Sequence, residues 1–263
     1  MNPYRFDVVS LFPNVFTSIN ELGVIAKAFS SNIADLYLHN PRDFAIDKYR
    51  KVDDLPYGGG PGMVLKPEPF FAAFRSIPIY SKRRVLLMTP QGRGLAQVDL
   101  WRWSKEYDQM IILCGNYEGF DERIRTLADE EISIGDFVLT GGELPAMTII
   151  NGIVRLLPGT VGTSESLLDE SHTELLLEHP HYTRPANFSG MEVPQVLRNG
   201  DHRAISDWRK MQKEIRTKIR RPDLYDRWIK KNAHSSIGTN NALNFFKNAF
   251  VKEDDPIKDP WWD

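Results

Sequence analysis

The chain has 263 residues, 41% hydrophobic and 26% charged, with a formal net charge of −2, a composition ordinary for folded domains with enough length to bury a core. A single cysteine, Cys114, excludes an internal disulfide and any cysteine-cluster metal site. No apolar run nears the ~20 residues of a membrane span, and the start MNPYRFDVVSLFP lacks a secretory h-region, so the expectation is a cytoplasmic protein with no membrane partner.

In chain order, strand candidates are Phe6–Phe12, Val85–Thr89, Met110–Cys114 and Ile132–Leu139. Those at 85–89 and 110–114 are continuously apolar, which suits parallel strands covered on both faces. Leu95–Tyr107 is long enough for a crossover helix. The alternation predicts an α/β domain over 1–160 with a mostly parallel sheet and helices on both faces. A polar, Ser- and Glu-rich stretch then predicts a linker over 161–175, followed by a small helical domain over 176–235 and a tail over 236–263. Within the helical domain Ile205, Trp208, Met211, Ile215 and Ile219 recur at roughly helical spacing, in a helix that stops before Pro222. From Arg198 to Arg221 there are nine basic residues against Asp201, Asp207 and Glu214. That block is either a solvated helix face or a surface for a polyanion.

Each of three strand candidates runs into glycine: Pro90-Gln91-Gly92-Arg93-Gly94, then Gly115-Asn116-Tyr117-Glu118-Gly119, then Thr140-Gly141-Gly142-Glu143. Ligand crevices of open parallel sheets lie outside the carboxyl ends of the strands, so three such loops imply one shared site; ordinary tight turns are the alternative. The chain contains no G-x-x-x-x-G-K-[ST], and Gly92-Arg93-Gly94 lacks the third glycine of a dinucleotide fingerprint. Glu118, Asp121, Asp136 and Glu143 would repel phosphate, so the loops favour a neutral or cationic ligand such as an adenosine bearing a sulfonium.

The segments PRDF (41–44), VDDLPYGGGPGMV (52–64), PQGRG (90–94), CGNYEGFDER (114–123), IGDFVLTGGELPAM (134–147) and HPHYTRP (179–185) together resemble the bacterial tRNA (guanine-N1-)-methyltransferase family, of the knotted SPOUT methyltransferases. The resemblance runs to about residue 225. It implies a homodimer, a deep trefoil knot in the α/β domain, S-adenosylmethionine as methyl donor, Mg²⁺ dependence, and N1 of the guanosine at tRNA position 37 as target. Carried over by motif, the cofactor-binding residues are Pro90, Gly92, Gly115, Tyr117, Glu118, Ile134, Gly135, Asp136, Phe137, Val138, Leu139, Gly141 and Gly142. The substrate-binding residues are Asp53, Pro61 and Gly62, joined by Arg209 and Lys213 of the basic block. The catalytic residues are Arg155 and a general base at Asp169, with Glu170 the rival because the local motif is offset by one position. Tyr49 stands where the family often has histidine, and His172 is expected to be a contact residue. The alternatives are a knotted methyltransferase acting on ribosomal RNA and a non-catalytic RNA-binding protein of the same fold.

Overall fold

The computed structural model describes residues 2–161 and 170–233. The chain divides into two compact units, Met1–Leu168 and Asp169–Asp263.

The first unit begins with β1 (Tyr4–Val9), α1 (Gly23–Ser30) and β2 (Ala34–His39). Two-residue strands β3 (Asp53–Asp54) and β4 (Val64–Leu65) then pair antiparallel, and α2 (Pro67–Arg75) follows. Next come β5 (Arg83–Gly94), α3 (Gln97–Glu106), β6 (Gln109–Cys114), β7 (Glu130–Ser133) and α4 (Glu143–Val154). The five long strands form one sheet in the order β2-β1-β6-β5-β7, with every pairing parallel.

Side chains alternate across a strand, and here the alternation sorts the core into two layers. Met110, Ile112 and Cys114 of β6 join Leu86 and Met88 of β5 under α1, α3 and α4. Ile111 and Leu113 join Val85 and Leu87 on the other face, with Phe70 and Ala73 of α2. All six residues of β6 are buried, so its unbroken apolar run records cover on both sides.

Several expected boundaries move. β1 ends at Val9 rather than Phe12, because the Phe12 N–H donates to Ser10 Oγ at 2.9 Å and Pro13 opens a 3-10 helix to Glu21. β7 is Glu130–Ser133, not 132–139: Gly135 has φ +155° and the Phe137 N–H turns back onto the Gly135 carbonyl at 2.9 Å. β5 is longer than its apolar core. It pairs with β7 at Met88↔Ile132, leaves the ladder, and rejoins it at Arg93↔Ile132 and Gly94↔Ser133. Thr89–Gly92 is thereby extruded at the carboxyl end of the sheet.

In the second unit a short hairpin, β8 (Asn187–Phe188) with β9 (Met191–Glu192), precedes α5 (His202–Arg220) and α6 (Pro222–Ala233). Asp201 caps α5 by accepting from the Arg203 and Ala204 N–H groups, each at 3.0 Å. The helix stops before Pro222 as its sequence predicts. Its buried residue is not from the expected apolar stripe, however. Ile215 and Ile219 are exposed, while Thr217 is fully buried. Thr217 Oγ1 donates to the Lys213 carbonyl at 2.6 Å and accepts from the Leu177 N–H at 2.8 Å, so a hydroxyl ties the Leu177 loop to the helix. Among the described residues no helix is long and apolar enough to cross a membrane.

Candidate active site

The extruded Thr89–Gly92 segment, the loop after β6 and the loop after β7 enclose a cavity of ≈ 330 Å³ at the carboxyl ends of three neighbouring strands. Of the residues expected to bind cofactor, Pro90, Gly115, Tyr117, Glu118, Ile134, Gly135, Phe137, Val138, Leu139, Gly141 and Gly142 line this cavity, whereas Gly92 and Asp136 do not. Phe137 and Val138 are 54% and 80% exposed, an open apolar wall among the described residues, of the kind that small-molecule sites use.

Glycine is required here by the approach of chain to chain. The segment after β7 crosses the end of β6: the Gly142 N–H donates to the Gly115 carbonyl at 2.8 Å, and Gly141 bridges Asn116. A Cβ on Gly142 would lie 2.9 Å from Cys114 Cα. One on Gly141 would overlap Asn116 Nδ2 and Glu143 Oε2. Gly92 is out of the cavity because it rides on β7, where a Cβ would come within 2.5 Å of the Glu131 and Ile132 backbone.

Glu143 opens α4, 7% exposed, where the helix N-terminus favours a carboxylate. Its Oε1 accepts from Ser10 Oγ at 2.7 Å and its Oε2 from Asn116 Nδ2 at 3.2 Å, so one buried acid joins the ends of β1 and β6. Burial, and then the nearby Glu143, push the Cys114 thiol well above its ordinary value, which makes it inert as a nucleophile. The charged residues among the described lining are Glu118, Glu122 and Arg125. Arg125 is already engaged: it pairs with Glu131, its Nε lies 2.9 Å from Glu122 Oε2, and its Nη2 donates to Gln91 Oε1 at 2.7 Å. Without a free cation in that lining, the cavity repels phosphate and suits a neutral or cationic ligand.

Asp53, Pro61 and Gly62 belong to the β3/β4 hairpin, outside the cavity but docked on its wall. The Glu118 N–H donates to the Met63 carbonyl at 3.1 Å, and the Leu65 N–H to Gly119 at 2.9 Å. Gly62, with φ +82°, packs so tightly on the Glu118 side chain that a Cβ would overlap it. Tyr49 is an exposed side chain on the preceding loop.

The structure does not bring Arg155 to the cavity of its own chain. Arg155 caps the carboxyl end of α4, about 18 Å along the helix axis from Glu143 at a rise of ~1.5 Å per residue. Glu170, His172, Arg209 and Lys213 lie in the second unit, and Asp169 lies outside the described residues. Among the described residues no group of three or more His, Cys, Asp or Glu side chains is placed to hold a metal. Sequence reasoning passes over Gln91, Asn116 and Arg125 as lining residues. Gln91 and Asn116 are polar positions inside glycine-bearing loops, which is a usable signal; Arg125 carries none.

A parallel α/β sheet with a cleft built from three adjacent strand ends defines an α/β protein with a small-ligand site at its carboxyl edge. The chain belongs to the family described as tRNA (Guanine-1)-methyltransferase TrmD, whose sequence model matches residues 4–227. It is similar to proteins named tRNA (guanine-N(1)-)-methyltransferase from several cyanobacteria. The one from Synechococcus sp. (strain CC9311) is 71% identical over 228 residues, covering 87% of this chain and 95% of the relative. That from Synechococcus sp. (strain RCC307) is 68% identical over 228 residues, covering 87% and 96%. That from Thermosynechococcus vestitus is 56% identical over 226 residues, covering 86% and 95%.

Proposed function

We propose that this protein transfers a methyl group from S-adenosylmethionine to N1 of the guanosine at position 37 of tRNA. The observation that carries the reading is the cleft: it joins the family's glycine-bearing motifs into one cavity whose cations are all paired and whose wall is apolar. An adenosine would lie against Phe137, Val138 and Leu139 and the backbone of Ile134, Gly141 and Gly142, and a positive sulfonium would meet Glu118 rather than a free cation. The bound donor supplies an electrophilic methyl group.

The protein's own residues must do the rest. Guanine N1 is protonated in the neutral base and becomes nucleophilic when a general base removes that proton. Asp169 is our assignment for this base, with Glu170 as the rival. The charge released onto O6 calls for a guanidinium, and Arg155 is the assigned group. Its place at the far end of α4 from the cavity fits a role at the site of a second copy, and a homodimer is the functional unit we assign. Exposed apolar residues support such a surface: Phe12, Val15, Leu22, Val24 and Leu144 lie on the 3-10 helix, α1 and α4 and at their borders, elements that pack on one another. The hairpin residues Asp53, Pro61 and Gly62 are assigned to the target base, and Arg209 and Lys213 on α5 to tRNA phosphates. The crossing of the 134–142 segment over the end of β6 is the part of the fold we assign to the trefoil knot. The resemblance implies Mg²⁺, for which the described residues offer no cluster of carboxylates.

The test is transfer of a labelled methyl group to tRNA transcripts carrying guanosine or adenosine at position 37, with a ribosomal RNA fragment alongside. Labelling of the guanosine transcript alone is the expected result. Equal labelling of both transcripts, or labelling of the ribosomal fragment instead, overturns the assignment.

A further inference from the structure

The extruded segment Thr89–Gly92 is an unusual way to build a binding wall, since four residues of a central strand give up their ladder. Side chains tie it down at both ends. At its carboxyl end the tie is Arg93, whose Nη1 donates to Asp99 Oδ2 at 2.8 Å while the same guanidinium pairs with Glu130. At its tip the tie is Gln91, whose Oε1 accepts from Arg125 Nη2 at 2.7 Å. Arg125 is itself anchored to Glu131 on β7 and to Glu122 one turn earlier in its own 3-10 helix. Glu130 and Glu131 are neighbours on β7 and so point to opposite faces of that edge strand. Glu130 holds Arg93 together with Arg84 and Arg102, and Glu131 holds Arg125, so the extruded segment is tied to β7 through Arg93 at its carboxyl end and through Arg125 at its tip. Thr89, Pro90 and Gln91 line the cavity, and Arg125 is 18% exposed within it.

We propose that Arg125 is a positioning residue for the methyl-donor pocket, acting through Gln91 to hold the Thr89–Gly92 wall in its binding geometry. The proposal rests on the reading of the cleft as the donor site. The planar guanidinium donates to Glu131 and to Gln91 from two nitrogens held at a fixed angle, with Glu122 within ion-pair distance, a geometry that the point charge of an ammonium does not reproduce. Lysine at this position therefore keeps a charge beside Glu131 but loses the tie to Gln91.

The experiment measures S-adenosylhomocysteine binding by calorimetry and methyl transfer by steady-state kinetics, on the full chain. The unaltered protein must bind S-adenosylhomocysteine; if it does not, the cleft reading falls before this inference is reached. Losing one hydrogen bond to a charged group should weaken binding roughly tenfold in Arg125→Met, in Arg125→Lys and in Gln91→Leu. The loss should fall on Kd and on KM for the donor rather than on kcat at saturating donor. Gln91→Leu leaves the ion pairs of Arg125 intact, so it tests the tie even where Arg125→Met unfolds. The double variant Gln91→Leu, Arg125→Met should bind no worse than the weaker single variant, because both remove the same hydrogen bond. Additive losses would show that Gln91 touches the donor independently of Arg125, and an unchanged Kd in Gln91→Leu would show that the wall needs no tie; either overturns the proposal.

Discussion

Gly141 shows how one missing methyl group organises the site. Its bare Cα leaves room for the Asn116–Glu143 hydrogen bond, and a Cβ would occupy the position of both polar ends. Gly94, a few residues beyond the extruded wall, has nothing within 4 Å of its would-be Cβ. Gly141→Ala should therefore cost about 1–3 kcal/mol through overpacking and weaken donor binding, since Asn116 lines the cavity. Gly94→Ala should change neither, and urea unfolding with calorimetry on both variants compares them. Equal behaviour of the two would show that the crowding at Gly141 relaxes freely. The glycines are legible in the sequence as markers of a shared site, but the cause of their presence is not. Adenosine against bare backbone is the natural reading of the motifs. What demands glycine at 92 and 142 is one stretch of backbone lying across another, and at 141 it is the side-chain ends of Asn116 and Glu143. Nothing in the sequence around Gly92 points to Glu131, nor around Gly141 to Asn116, so the crossing leaves no local sign.

At the level of elements, legibility follows burial. β6 and the first half of β5 can be placed because strands covered on both faces need unbroken apolar runs. β2 is hidden because an edge strand alternates weakly, and Tyr37 and Leu38 on it are exposed. α4 is hidden because its apolar run continues the glycine motif without a polar face: seven of its twelve residues are buried. α5 has clear stop and start signals in Pro222 and Asp201, yet its pattern misleads about the inward face, since a threonine hydroxyl takes the place expected of isoleucine. That exchange has a measurable consequence. Thr217→Val preserves shape but strands the half-buried Leu177 N–H, at a cost of about 1 kcal/mol, while Ile219→Val on the exposed side should cost under ~0.5 kcal/mol. Denaturant unfolding gives both values, and faster amide exchange at Leu177 in the threonine variant locates the damage. A Thr217→Val protein as stable as the original would mean that another group satisfies that amide.

On the scale of the whole chain, a net charge of −2 conceals a division of labour. The cavity of the first unit is lined by two acids and one paired arginine, whereas α5 of the second carries Arg209, Lys210, Lys213, Arg216, Lys218 and Arg220. Binding of tRNA should then weaken steeply with salt. Replacing Arg209 and Lys213 by alanine should flatten the plot of log affinity against log salt by roughly 0.7–0.9 for each phosphate no longer neutralised; donor affinity, measured in the same buffers, should stay nearly constant. An unaltered slope would remove α5 from the tRNA interface. Composition reveals this polarity, but the pairing of Arg125 that leaves the cavity lining without a free cation is visible only in three dimensions. The β3/β4 hairpin adds a last consequence. It shares the 116–121 loop with the cavity through the Glu118–Met63, Leu65–Gly119 and Asp121–Leu65 backbone hydrogen bonds. A loop held from both sides is a route for thermodynamic coupling: if a ligand on the hairpin fixes that loop, a ligand in the cavity no longer has to. The two affinities would then change by the same factor in either order of addition, and the binding of one ligand would be a measure of the other.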